Sequence, residues 1–418
     1  MKKVVVLVLT ICMGILYVGC SKSVSKREKG PVLISTTTSF GPCTTNAGAY
    51  DTLLKEFRSI NQHVIVKDKS VTADDDWKGM IRSRFEAGEE PDVMFFFTKS
   101  DVKDIIDKNQ VVSIDEIREK YPDYASNIKT EALEAVAETD GKAYCVPAMG
   151  FWEGLYCNKE LFSKYNVPMI TDWDSLVYAI NTFNANGVTP VAASLVEVPN
   201  YWIDHSILSV GELDKHSANP KSSDEVPKEW VNGLNLLTEL YNMKAFQSDT
   251  LATSHQLSVQ VFNKGQTAMI LDGSWMFLEP SMQDKVQVVP FPSYKNEPRA
   301  EKGVIAGFSM GFYISRKAWE DPLKRDVCVQ YVQYMTQNDS IARLSTAAAP
   351  AADIEIPFGS SPVTKEGYYL CNNNTIEMPI DSRLTKSAWE YLLKKIPNIV
   401  KGEIKPEEAL NMMVKYNK

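Results

Sequence analysis

Strands and helices alternate through the first hundred residues that follow the amino-terminal segment. Residues 32–35 form a short apolar strand, and Leu53, Leu54 and Phe57 then share one helical face. Residues 93–97 are an unbroken apolar run, which requires a sheet that is covered on both faces. This order predicts a mostly parallel, right-handed, doubly wound α/β sheet. Ligands of such sheets bind at the carboxyl ends of the strands, here the loops at 35–40 and 95–100.

A second unit of the same kind begins near residue 147. Residues 155–158, 190–193 and 267–271 are strand-like, and Leu176, Ile180 and Phe183 form a helical stripe between the first two. Strands at 286–289 and 308–314 follow, and helices dominate from there to the end. A chain of this length exceeds what one hydrophobic core usually serves, so the sequence predicts two lobes.

The first twenty residues have the three parts of a secretory signal. Lys2 and Lys3 precede an apolar run at 4–18, and Gly19 and Cys20 end it. Glycine followed by cysteine resembles the bacterial lipobox, in which the cysteine receives a diacylglycerol with palmitate-type chains. Two acyl chains suffice for stable anchoring. The alternative is an ordinary signal peptide (1–19) with a chance cysteine, and the polar residues up to 30 read as a flexible tether.

The net charge of the chain and the length of its apolar segments limit the classes of partner that it is expected to bind. The full chain carries a net charge of −8, and loss of Lys2 and Lys3 with the signal leaves −10. This balance argues against nucleic acid or an anionic membrane surface, both of which favour a basic face. No segment after the signal is long and apolar enough to span a bilayer, so Cys20 is expected to be the only membrane attachment.

The cysteines and histidines indicate no metal or catalytic centre. Beyond Cys20, the cysteines at 43, 145, 157, 328 and 371 are scattered, and the four histidines are isolated from them. Cys145 and Cys157 could pair, but buried free thiols are favoured. The acidic run at 74–76 invites a metal or sugar site, yet aspartates at a helix start usually serve as caps, which is the preferred interpretation.

Five short segments occur in order between residues 91 and 275. They are PDVMFF (91–96), DGKAYCVP (140–147), YCNKELF (156–162), TDWDSL (171–176) and FNKGQTAM (262–269), which runs on to GSW (273–275). In this order and behind a lipobox, they resemble the bacterial family 1 extracellular solute-binding proteins, which include maltose-binding proteins. The strand and helix pattern extends the resemblance over nearly the whole chain.

The resemblance implies the two-lobed, class II periplasmic-binding-protein-like fold, with a doubly wound sheet in each lobe and hinge strands between them. Behind a signal at 1–19 and a lipidated tether at 20–30, lobe one would comprise 31–146 and 286–320. Lobe two would comprise 147–280 and 321–418. The chain would cross between the lobes near 146–151, 280–288 and 314–326.

The resemblance also implies a function. The protein would be a monomeric lipoprotein on the extracytoplasmic face of the cell membrane, extracellular or periplasmic. It would capture a carbohydrate of oligosaccharide size between the lobes and deliver it to the permease subunits of an ABC transporter. Sugar transport of this kind needs neither turnover nor a cofactor.

Aromatic and carboxylate side chains are the expected ligand contacts, because rings cover the C–H faces of sugars and carboxylates pair with hydroxyls. Trp275 matches the stacking tryptophan of the family, and Phe96 matches its second aromatic platform. For each aromatic the alternative is an ordinary core position, and for each aspartate a helix cap. The remaining candidates are Trp202, Trp152, Asp204, Asp272 and Phe308.

Two other functions stay open at this point. A surface enzyme acting on carbohydrate needs two carboxylates about 5 to 9.5 Å apart, and nothing in the sequence singles out such a pair. The same fold could also bind a non-sugar ligand such as phosphate, a polyamine or a peptide. Residues 36–39 could serve an anion, and the acidic run at 74–76 with Trp77 could serve a polyamine.

Overall fold

The computed structural model describes residues 30–41, 44, 46–71, 75–294, 303–345, 350–355 and 360–418. The predicted signal peptide, Cys20, nearly all of the tether and Cys43 lie outside these residues. No helix in the described part of the chain is both long and apolar enough to cross a bilayer.

The elements follow one another in the alternating order that the sequence predicts. The strands are β1 (Val32–Thr37), β2 (Val64–Asp68), β3 (Val93–Phe97), β4 (Phe151–Asn158), β5 (Thr189–Ala192), β6 (Thr267–Gly273), β7 (Val286–Val289), β8 (Gly303–Gly307), β9 (Met310–Ile314) and β10 (Thr375–Glu377). The α-helices are α1 (Ala47–Ile60), α2 (Asp75–Glu86), α3 (Lys103–Asp107), α4 (Ile114–Lys120), α5 (Thr130–Ala135), α6 (Lys159–Lys164), α7 (Trp173–Ala185), α8 (Pro199–Val210), α9 (Leu213–His216), α10 (Lys228–Asn242), α11 (His255–Asn263), α12 (Arg316–Glu320), α13 (Pro322–Met335), α14 (Asn338–Leu344), α15 (Pro362–Asn372), α16 (Lys386–Val400) and α17 (Pro406–Tyr416).

The first sheet has the strand order β2-β1-β3-β9. Its first three strands are parallel, and β9 runs antiparallel to β3. Four of the five residues of β3 are buried, and Phe96 contacts Trp77 of α2, which agrees with the covered strand that the sequence predicts. Helix α2 starts at Asp75, so Asp75 and Asp76 of the acidic run lie in its first turn, and Asp74 lies outside the described residues.

The second sheet is mixed. Its order is β10-β8-β4-β6-β5, and β7 also pairs with β4. Strand β5 is parallel to β6 and β10 is parallel to β8, whereas β4 is antiparallel to each of its partners. Helix α7 begins with a capping box, in which Asp172 and Ser175 each bond the backbone N–H of the other.

Separate hydrophobic cores divide the chain into two lobes. Lobe one consists of residues 31–148 and 308–355, which pack on the first sheet. Lobe two consists of residues 151–306 and 360–418, whose side chains cover the two faces of the second sheet. Cys145 lies in the first core and Cys157 in the second, and both are buried free thiols.

After β6, the strand pairings and the core contacts divide the chain differently from the predicted lobe boundaries. The chain leaves lobe one at 146–151, where Val146 bridges Phe312 of β9 and Phe151 pairs with Gly307 of β8. It returns at 307–310 rather than 280–288, because β7 finds its partner in β4 of lobe two. The last crossing lies between Ala352 and α15 rather than at 314–326, because α13 packs into the core of lobe one.

Candidate ligand-binding cleft

In lobe two, Trp275 has an exposed ring that neighbouring residues hold from several sides. It lies two residues after the end of β6, and 45% of its surface is exposed. The ring centroid of Trp275 lies 6.1 Å from that of Tyr201 and 5.8 Å from that of Phe151. A Cβ on Gly273 would stand 2.3 Å from the ring, so only glycine lets the indole fold back here. The Trp275 ring is therefore an aromatic platform that its neighbours keep in place and that has one face open to solvent.

A buried carboxyl group lies three residues before Trp275 in the sequence. Asp272 is fully buried at the end of β6, and its Oδ1 accepts the Gly273 N–H at 2.7 Å. Its Oδ2 lies 3.3 Å from Nε2 of His255. Burial lowers the pKa of His255, but the Asp272 carboxylate outweighs this effect and leaves the pKa raised. Asp272 therefore contacts the Gly273 backbone and His255, close in sequence to Trp275.

The register of the second sheet sets Glu153 beside the same site. Glu153 of β4 pairs with Gly273 of β6, and its Oε2 lies 3.1 Å from Nε2 of His205. Burial, followed by the charges of Asp204, Asp272 and Asp381, raises the pKa of Glu153 well above its usual range. Burial and the neighbouring carboxylates thus both favour the neutral form of Glu153 over its charged form.

Asp381 is the carboxyl of this group that reaches solvent. It lies on a short 3-10 helix, Ile380–Ser382, and its side chain is exposed although protein surrounds it closely. Partial loss of water and the nearby Asp204 raise the pKa of Asp381 to about 7, while Lys78 acts in the opposite direction. Lys78 belongs to lobe one, so the Asp381 carboxyl faces across the gap between the lobes.

The facing wall of lobe one is built around Asp101. Lys78 Nζ lies 2.9 Å from one Asp101 oxygen, and Arg82 lies 2.6 Å from the other. The Lys78 ammonium also sits 3.9 Å from the ring centroid of Phe97, the partly exposed last residue of β3. The two walls thus offer aromatic faces, a cation and a titratable carboxyl around one cleft, which suits a polar ligand that has an apolar face.

Comparison with known proteins agrees with this architecture. The model of the family described as "Bacterial extracellular solute-binding protein" matches residues 44–341. The chain belongs to this family of solute-binding proteins. A search of curated proteins gives no significant match.

Solved structures share the two-lobed fold of this solute-binding protein at low sequence identity. A protein from xylan utilization by Caldanaerobius polysaccharolyticus is 21% identical, with a TM-score of 0.76 over 92% of this chain and 99% of its own. A chitin oligosaccharide binding protein is 18% identical, with a TM-score of 0.75 over 88% and 93%. The GacH receptor of Streptomyces glaucescens is 18% identical, with a TM-score of 0.74 over 93% and 97%.

Of the two neighbouring phenylalanines at the end of β3, the predicted contact Phe96 is covered and Phe97 is partly exposed. Phe96 is fully buried in the core of lobe one, with its ring centroid 5.2 Å from that of Trp77. A covered ring cannot stack on a ligand in this conformation. Because side chains alternate along a strand, the next residue, Phe97, points the other way and is partly exposed.

Two predicted tryptophan contacts are also core residues. Trp152 is 1% exposed and stacks on Tyr156 with centroids 5.7 Å apart. Trp202 is buried as well, in edge contact with Phe246 at a centroid distance of 4.6 Å. Their burial leaves Trp275 as the predicted tryptophan whose ring is available to a ligand.

The other predicted contacts of the solute-binding protein have supporting roles or lie apart. Asp204 is buried and accepts the Ile380 N–H at 2.8 Å. Phe308, 8% exposed, borders a cavity of about 620 Å³ that Asn127 of lobe one and Tyr368 of lobe two also line. Asp381 and Phe97 are two further candidate contacts, and the sequence did not predict either. Of the two, only Phe97 carried a signal, since it ends the predicted strand at the ligand-binding edge.

Proposed function

We propose that this protein captures a carbohydrate, of oligosaccharide size, in the cleft between its lobes and delivers it to the membrane subunits of an ABC importer. The observation that carries the proposal is Trp275, a half-exposed ring packed between Gly273, Tyr201 and Phe151 and close in sequence to Asp272. It acts by binding alone, as a monomer, without turnover and without a cofactor.

The chemistry of the two walls supports a sugar. The C–H face of a pyranose ring packs on an indole, and its hydroxyls then point sideways toward charged groups. Asp381 accepts hydroxyl hydrogens, and Lys78 donates to hydroxyl oxygens from the opposite wall. Structural neighbours include a chitin oligosaccharide binding protein, GacH in complex with acarbose and RafE in complex with raffinose.

Trp275→Ala tests the site directly. The mature protein is first screened by thermal shift against raffinose, acarbose, chitotriose and xylotriose, with spermidine and inorganic phosphate included to detect a non-sugar ligand. Calorimetry with the best sugar should then show a loss of roughly 2 kcal/mol or more in Trp275→Ala, as for other buried aromatic anchors. Tyr178→Ala, which removes an exposed ring on α7 of the same lobe, is the control and should bind normally.

Two results would contradict this assignment. Unchanged sugar affinity in a folded Trp275→Ala variant would exclude the ring from the site. A response to spermidine or phosphate alone would favour the non-sugar alternative. The product mixture after long incubation with the bound sugar is also analysed, and cleavage of the sugar would show an enzyme instead.

The same proposal includes membrane attachment through Cys20. Lipid on this cysteine would keep the receptor on the extracytoplasmic face, near the permease, because two acyl chains hold a protein stably on a bilayer. Cys20→Ala should leave the protein either uncleaved or released from the membrane fraction. A variant that is still processed and still partitions with lipid would show that another feature anchors the chain.

A further inference from the structure

The segment that carries Asp381 is tied to a fully buried histidine. His216, the last residue of α9, has its Nε2 3.2 Å from Asp204 Oδ1 and its Nδ1 3.5 Å from Glu377 Oε1. Asp204 belongs to α8, whereas Glu377 ends β10. One imidazole therefore joins two elements that come from distant parts of the sequence.

The same two carboxylates also hold the backbone on either side of Asp381. Asp204 Oδ1 accepts the Ile380 N–H at 2.8 Å. Glu377 pairs with Arg383 at 2.7 Å, and Arg383 donates to the Met378 carbonyl at 3.1 Å. Residues 377–383 are thus fixed at both ends, and Asp381 projects from the middle into the cleft.

The charge balance of His216, Asp204 and Glu377 depends on whether His216 carries a second ring proton. Burial lowers the pKa of His216, but Asp204 and Glu377 together outweigh burial and raise it. The remaining charged groups nearby are Arg383 against Glu377, and Asp381 and Glu153, whose charges both interact with Asp204. Without its proton, the ring would leave two buried carboxylates facing a neutral group, which is costly in a dry interior.

We propose that protonated His216 is a positioning residue that holds residues 377–383 so that Asp381 stands in the cleft as a ligand contact. The ligand part rests on the proposed function, and its chemistry is the acceptance of hydroxyl hydrogens from a sugar. The positioning part depends only on this chain, and its consequence is that the segment loosens when His216 loses its proton.

Hydrogen exchange of the Ile380 amide tests the positioning role without a ligand. In the wild-type protein, protection of this amide, corrected for intrinsic exchange, should be greater at pH 6 than at pH 9. The Asp381→Asn variant should show the same profile, since it lacks only the titration of Asp381. His216→Gln should show weak protection at both pH values.

The wild-type profile decides the matter even if His216→Gln fails to fold. A purely structural contact would give protection that does not change between pH 6 and pH 9. That result, or unchanged protection in a folded His216→Gln variant, would overturn the positioning role.

Calorimetry tests the ligand contact with the best sugar of the panel above. Asp381→Asn should weaken binding by about tenfold or more, as expected when a charged hydrogen-bond acceptor is lost. Asp224→Asn, which removes an exposed carboxylate of lobe two, is the matched control and should bind normally. Unchanged affinity in Asp381→Asn would overturn the contact while the proposed function stands. If no sugar of the panel binds, the proposed function fails, and hydrogen exchange still decides the role of His216.

Discussion

Asp101 and Asp381 lie on facing walls of the cleft and differ in whether a cationic side chain forms an ion pair with them. Asp101 is paired with both Lys78 and Arg82 of its own lobe. Asp381 has no such direct pair among the described residues and lies close to Asp204, which raises its pKa to about 7 together with the loss of water. Asp381 therefore makes the charge of the lobe-two wall sensitive to pH. On the lobe-one wall, the charge of Asp101 is neutralised by its cationic partners.

Asp381→Asn should change how stability depends on pH. A carboxyl whose pKa is higher in the folded than in the unfolded protein stabilises the fold below its unfolded value of 3.8, and this contribution is lost as the pH rises through about 7. The variant lacks this loss. Its melting temperature relative to wild type should therefore rise from pH 5 to pH 8, measured by differential scanning calorimetry.

Asp224→Asn is the control for this measurement, and its difference from wild type should stay flat over the same range. A flat difference for Asp381→Asn as well would show that Asp381 is ionised throughout, and that the surrounding protein does not perturb it.

Single residues also show where the sequence is sufficient. The resemblance to the family points to Trp275, whose ring the structure leaves half-exposed. Phe96 and Phe97 could not be separated, because three phenylalanines in a row give no alternation from which to read the face. Asp381 left no signal at all, since His216 and Asp204 position it from elsewhere in the chain.

Between elements, helices α8 and α10 approach as closely as their backbones allow. A Cβ on Gly233 of α10 would stand 2.6 Å from the Cα of Ile207 on α8. Gly233→Ala should destabilise the protein, because overpacking costs about 1–3 kcal/mol. A clash with backbone lies at the upper end of that range, so it exceeds the gain of about 1 kcal/mol from helix propensity. Urea unfolding measures the change.

Gly79 of α2 is the matched control, because a Cβ there meets nothing within 4 Å. Gly79→Ala should stabilise the protein by roughly 0.5–1 kcal/mol. If both variants were stabilised, helix propensity would dominate at Gly233, and α8 would have room to move.

At the level of elements, local sequence patterns predict individual helices and strands better than they predict which strands pair. The stripe of Leu176, Ile180 and Phe183 gave α7, and the apolar run at 93–97 gave β3. The partner of β7 could not be predicted, since the four residues of that strand suit either sheet. Only the register with β4, where Val289 faces Leu155, assigns it to lobe two.

Across the whole molecule, the number of lobes follows from chain length and alternation, but the crossings do not. A crossing is set by where a strand finds its neighbour. Strands β8 and β9 are separated by two residues yet pair in different sheets, so residues 307–310 form a hinge that no local pattern marks. Beside it, Val146 and Phe312 exchange two backbone hydrogen bonds of 3.0 and 2.9 Å.

This hinge allows the lobes to rotate as rigid bodies, and a ligand that touches both walls favours the closed form through its differential affinity. Small-angle scattering of the mature protein should therefore give a smaller radius of gyration at a saturating concentration of the best sugar. Trp275→Ala at the same sugar concentration should keep the unliganded value, because its site stays largely empty. Identical wild-type curves with and without bound sugar would mean that the cleft does not close, and a permease would then need another way to distinguish loaded from empty receptor.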